Sequence, residues 1–224
     1  MTWRRSDLLA TGIALALLLA WDASGLDLWL VRGWAGPEGF PWRERWLTSQ
    51  LLHNGGRRAA GAVLALLVVN VWWPLFAGLS RGERVRWLAV TLATLLLVPA
   101  LKQLSSTSCP WDLAEFGGHA LHVSHWRFGV ADGGSGHCFP SGHATSAVAF
   151  FSGWFALRDR HPLAARWWLA AVCAFALLFG WAQMVRGAHY ASHTMWSAWL
   201  CWALAWLGMT LRPRRVTAVP APPP

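Results

Sequence analysis

Lys102, the run Pro140-Ser141-Gly142-His143, the run Arg186-Gly187-Ala188-His189, and His193 are the residues whose types and order suit a chemical task. Phosphoryl transfer needs cations and N–H donors around the phosphate oxygens, a nucleophile, and an acid for the departing oxygen. Lys102 and Arg186 supply charge. Ser141, at a helix start, supplies a hydroxyl and free N–H groups of the kind that attract phosphate. Gly142 lets the backbone come close, and His143 and His189 remain as acid and nucleophile. Singly, each has a plainer use: a lysine at a helix end snorkels, a serine caps, and a histidine packs. If Arg186 to His193 forms one helix, Arg186, His189 and His193 share a face. No acidic metal cage is apparent, and hydrolysis through histidine requires none. His119, His122 and His125 raise the thought of a metal site, but they sit in a Gly-rich loop without ligand spacing and are expected on the surface. His137 stays uncommitted.

Stepping outward from these residues, the chain that must carry them is 55% hydrophobic and 13% charged, against about 25% charged in a soluble domain. Its nineteen tryptophans suit the membrane–water interface, where an apolar ring and a polar N–H are both satisfied. A net charge of +9 would suggest nucleic acid in a soluble protein. Here the arginines fall between apolar runs and read as topology signals, so no nucleic-acid partner is expected. Spanning the hydrocarbon core takes about 20 apolar residues. Six segments approach that length: Leu8–Ala23, Ala59–Leu79, Trp87–Leu104, His143–Leu157, Trp167–Val185 and Thr194–Leu211. The first apolar run lacks a convincing cleavage site and is expected to stay as an anchor.

Six spans place both termini on one side. That side gathers Arg4, Arg5, Arg81, Arg84, Arg86, Arg158, Arg160, Arg166, Arg212, Arg214 and Arg215 against only Asp7, Glu83 and Asp159, whereas acids nearly balance bases on the other. By the positive-inside rule the termini face the cytoplasm, and the two long loops, Ser24–Arg58 and Ser105–Pro140, face outward. The first outer loop, with Trp34, Phe40, Trp42, Trp46, Leu51 and Leu52, reads equally as an interfacial helix or an irregular cap. Residues 1–211 form one membrane domain. The basic and then proline-rich tail, 212–224, is expected to be disordered and cytoplasmic. All three polar clusters stand at the outer ends of apolar segments, where ionisable groups are costly and are functional candidates.

In that order and on one side, these residues resemble the type-2 phosphatidic-acid phosphatase superfamily, which also includes vanadium haloperoxidases and whose motifs are KxxxxxxRP, PSGH and SRxxxxxHxxxD. The chain has Lys102-Gln-Leu-Ser-Ser-Thr-Ser-Cys109-Pro110, an intact Pro140–His143, and Arg186-Gly-Ala-His189-Tyr-Ala-Ser-His193, so the resemblance spans about residues 100–200. It implies that His189 attacks phosphorus to form a phosphohistidine and that His143 protonates the leaving group. Lys102, Ser141, Gly142 and a displaced Arg186 would bind the phosphate. Three departures stand out. Cys109 replaces an arginine, for which Arg127 is a candidate substitute. Gln183 takes the usual arginine place six residues before the histidine. His193 replaces the aspartate that would orient the nucleophile; an alternative register makes His193 itself the nucleophile. Cys109 and Cys138 flank the first two motifs, face an oxidising compartment in this topology, and are expected to pair and tie Lys102 to Ser141 and His143.

The expectation is an all-α bundle of six transmembrane helices with two outer loops, working as a metal-independent phosphatase without a cofactor at the outer face of a bacterial inner membrane. The resemblance suggests undecaprenyl pyrophosphate, phosphatidic acid, phosphatidylglycerol phosphate or lipid A phosphates as substrates. A lipid phosphotransferase and a non-catalytic lipid-phosphate binder or transporter are the alternatives. The sequence leaves the oligomeric state open.

Overall fold

The computed structural model describes residues 5–36 and 38–211; the expected tail, 212–224, lies outside them. Helix α1 covers Arg5–Ser24 and a short α2 covers Leu26–Arg32. A π-helical stretch, Leu47–Gly55, runs directly into α3, Gly56–Trp72. Helix α4 is Arg81–Gln103. Next comes a long loop with two short 3₁₀ turns, and then α5 (Gly142–Val148) continues through a 3₁₀ turn into α6 (Ser152–Leu157). Helices α7 (Pro162–Val185) and α8 (Ala191–Thr210) complete the fold. Among the described residues there is no strand.

The helix ends follow from local chemistry. Ser80 and Glu83 form a reciprocal capping box at the start of α4, satisfying two donors that the first turn leaves free. Pro162 opens α7, where a missing N–H costs nothing. The close of α7 departs from expectation, because Arg186 to His193 is not one helix. Gly187 takes a left-handed φ of 70°, its N–H returns to the Met184 carbonyl, and the Ala188 N–H returns to Gln183. That is a Schellman stop. It leaves Arg186–Tyr190 as a tight loop between two helices.

Helix α8 lies centrally, against α1, α4, α5 and α6, while α5 and α6 also pack on α7. The main core joins Trp87, Phe150, Phe151, Phe155, Phe179 and Trp206. Polar groups sit inside it: Thr91 and Ser152 hydroxyls meet at 2.7 Å across two helices, and a buried Arg158–Asp7 pair at 2.9 Å ties α1 to the end of α6. Large apolar side chains face outward instead, among them Leu96 (72% exposed) and Leu177 (76% exposed). This inversion suits a lipid surround, where interhelical hydrogen bonds hold helices that gain nothing from burying leucine.

Among the described residues three helices, α1, α4 and α7, are long and apolar enough to cross a membrane. The other expected segments are helical too, but α3 has 17 residues, α5 and α6 are shorter rods joined by a 3₁₀ turn, and α8 carries the buried polar residues Ser192, His193 and Ser197. Over one end of the bundle the two long loops clasp. Phe40 packs edge-on against Phe116 with centroids 5.2 Å apart, inside a second apolar cluster with Val31, Leu113, Ala120 and Tyr190. Arg32 pairs with Glu115 across the same contact.

Candidate active site

Four elements meet beneath these loops. The end of α4 brings Lys102, whose stem passes the open side of Gly142, with Cδ 3.7 Å from where a Cβ would stand. The start of α5 brings His143. The loop after α7 brings Arg186 and His189, and the π-helical stretch brings His53. The His143 and His189 rings lie 6.5 Å apart by centroid, a separation that fits a single phosphoryl group.

His53 was not singled out by the sequence, yet it organises one side of the site. Its Nε2 lies 2.9 Å from His143 Nε2, and its Nδ1 lies 2.8 Å from an Arg186 guanidinium nitrogen and 3.3 Å from the Gln183 amide nitrogen. A guanidinium only donates, so His53 Nδ1 accepts and the His53 proton sits on Nε2. That N–H donates to His143 Nε2, which leaves the His143 proton on Nδ1. Burial, then the nearby Arg186 and Arg57 cations, hold the His53 pKa below the ordinary histidine value. Arg186 is itself fixed, because its Nε donates to the Arg43 carbonyl of the first outer loop at 2.9 Å.

His189 is buried, with Nδ1 3.4 Å from His193 Nδ1 and 3.5 Å from Cys138 Sγ. Its backbone N–H reaches the Gln183 carbonyl at 3.3 Å. Burial is the main cause, with His193 and Lys102 adding to it, that keeps the His189 pKa well below its usual value, so the ring is neutral. Nε2 is the ring nitrogen not engaged with His193. Ser141 is fully buried and committed to structure: its N–H donates to the His193 carbonyl at 3.2 Å and its Oγ caps the Ala144 N–H.

Cys109 and Cys138 are disulfide-bonded, with Cα atoms 5.2 Å apart, and Cys138 Sγ sits against the Ala188 carbonyl. Cys109, Cys138 and His189 place ligand-type atoms within 4.8 Å of one another, but sulfurs bonded to each other are not thiolate ligands, and only thiolates bind metal well. Arg127 is exposed. His125, expected on the surface, is instead tucked in: its ring stacks on Phe139 at 4.1 Å, and its Nε2 meets Asp22 Oδ2 at 3.2 Å. Burial outweighs the attraction of Asp22 and lowers its pKa. The sequence also passed over Asp22 and Asp27. Asp27 accepts from the Ser192 N–H at 3.0 Å and from its hydroxyl, so it caps α8 from another element.

Residues 84–217 match the sequence model of the PAP2 superfamily, a stretch that takes in α4 from Arg84 onward, α5 to α8, and Lys102, His143, Arg186, His189 and His193. The chain belongs to the PAP2 superfamily. The phosphatases of that superfamily support a phosphoric ester hydrolase here, and the apolar helices fit a membrane-associated one. No curated protein and no solved structure matches the chain.

Proposed function

We propose that this protein hydrolyses a phosphomonoester or pyrophosphate on a lipid, without a metal, through a phosphohistidine at His189. The observation that carries the reading is the meeting of His189, His143, Lys102 and Arg186 at the loop-covered end of an apolar helix bundle. His189 Nε2 would attack phosphorus while Lys102, Arg186 and the free N–H groups at the start of α5 hold the oxygens. Ser141, whose N–H and Oγ are engaged within the fold, positions that helix start rather than touching the phosphate.

The resting His143 carries one proton, one fewer than an acid needs. A phosphate dianion would draw Arg186 away from His53 Nδ1, and that nitrogen could then take a proton from solvent. The His53 Nε2 proton passes to His143 Nε2, and the His143 Nδ1 proton passes to the departing oxygen. Both rings end neutral. Water then attacks the phosphohistidine, with His143 as base, and releases phosphate.

A lipid is favoured over a soluble ester by what adjoins the site. An apolar cavity of about 160 Å³ lies between α3, α5 and α7, lined in part by Gly56, Val63, Ser146, Phe150 and Phe179. Gly56 and Ser146 each sit one turn beyond His53 and His143, so a tail there would leave its headgroup at the histidines. The six-span arrangement, with the loops on the outer face of a bacterial inner membrane, follows from the charge pattern and belongs to the same proposal. The test is phosphate release by purified protein, with EDTA, from phosphatidic acid, phosphatidylglycerol phosphate, undecaprenyl pyrophosphate and lipid A. Wild-type turnover should survive EDTA, and His189→Ala should lower it by at least about 10³-fold. Turnover that persists in His189→Ala but fails in His193→Ala would transfer the nucleophile to His193.

A further inference from the structure

His193 stands where the family motif has an aspartate, so the nucleophile lacks an adjacent fixed negative charge. We infer that Asp22, near the end of α1, supplies that charge from behind His193, through water in the small cavity they share. The inference rests on His189 as the nucleophile. For Nε2 to attack, the His189 proton must lie on Nδ1, where it donates to His193 Nδ1 at 3.4 Å. With that proton held between the two Nδ1 atoms the His193 proton is on Nε2, and the Cys138 carbonyl is the competing acceptor for both rings. His193 Nε2 is buried and has no hydrogen-bond partner among the described residues, and neither has the buried Oδ1 of Asp22.

Both residues line one cavity of about 80 Å³, together with Asp27, His122, His125 and Tyr190. A polar cavity of this size holds ordered water when two to four polar partners are available. A donor and an acceptor without partners, on two residues that line the same cavity, satisfy one another through such a water at little cost. The other carboxylate oxygen fixes Asp22 in place. Oδ2 accepts from the indole N–H groups of Trp196 at 2.8 Å and Trp126 at 3.0 Å, and meets His125 at 3.2 Å. Trp196 lies one turn after His193 on α8, so the carboxylate is pinned to the helix that carries His193. As phosphorus bonds to His189 Nε2, positive charge spreads through the Nδ1 proton to His193 and on to Asp22. No proton need leave the chain of residues. Asp22 is therefore a positioning residue for the nucleophile.

A double-mutant cycle on the purified full-length enzyme tests this, with the lipid phosphate that wild type turns over fastest. Asp22→Asn should lower kcat roughly 10- to 100-fold with little change in KM, somewhat less than a direct acid–base contact gives. In a His193→Asp background, which restores a direct carboxylate, Asp22→Asn should cost less than about threefold. An equal loss in both backgrounds, or a loss confined to KM, would overturn the relay and leave Asp22 a structural anchor. ¹⁵N-histidine NMR of the same protein in detergent needs no substrate. His193 should be the Nε2–H tautomer with a resonance that moves in Asp22→Asn; a Nδ1–H tautomer refutes the relay even if the lipid assays succeed. If no lipid is hydrolysed but the NMR result holds, the failure lies with the proposed substrates and not with the relay.

Discussion

At the scale of single residues, groups distant in sequence join the motif residues. His53 stands between Arg186 and His143, and Asp22 stands behind His193. Because burial, Arg186 and Arg57 depress the His53 pKa, the protonated His53–His143 pair is easily lost as pH rises, and kcat should fall along an alkaline limb. Arg57→Gln removes one of those cations, so the pair holds its proton to higher pH and the limb should move up. His53→Ala should lower kcat about 10- to 100-fold by removing the proton's entry point. A pH–rate profile of kcat checks both, and a limb unmoved by Arg57→Gln rejects the relay through His53. Lys102, Ser141, His143 and His189 were legible in sequence because each occupies a fixed place in a known spacing, and Arg186 because it lies close to one. His53 was not, since nothing along the chain distinguishes a loop histidine before two arginines from a solvated one. Asp22 and His125 were missed for a similar reason: their partners lie about a hundred residues away.

At the scale of elements, the stop of α7 does most to aim the proposed nucleophile. A helix running through to His193 would share a face among Arg186, His189 and His193, as the spacing allowed. Gly187 turns the chain instead, so that Arg186 points to His53 while His189 turns to His193. The glycine was visible in sequence, but its left-handed φ depends on the Met184 and Gln183 carbonyls and on the Phe40 ring packed over it. Gly187→Ala should cost about 1–2 kcal/mol from φ alone, and more from overlap with Phe40. Its thermal midpoint in detergent and its activity should both drop. Gly61→Ala, with open space around it, should be neutral or gain about 0.5–1 kcal/mol by favouring helix. The break between α5 and α6 was equally hidden, because hydropathy reports an apolar run and not how its backbone winds.

At the scale of the whole molecule, sequence composition foretold the inside-out partition of polar and apolar groups, but not which buried charges pair. Asp7 and Arg158 entered the sequence reading only as topology charges; here they join opposite parts of the chain inside the bundle. The proposed orientation puts Arg160 and Arg127 on opposite sides of the membrane. A membrane-impermeant maleimide on intact cells should label Arg127→Cys and leave Arg160→Cys unlabelled until the cells are opened; the reverse pattern would invert the topology. One contact has a mechanical consequence at this scale. Gln183 holds the backbone of His189 with its carbonyl and the ring of His53 with its amide. A shift of α7 along its axis, such as a thinning bilayer would impose, would carry both groups the same way and by the same amount. The spacing of these two histidines would then behave as a gauge block, constant while the membrane around them breathes.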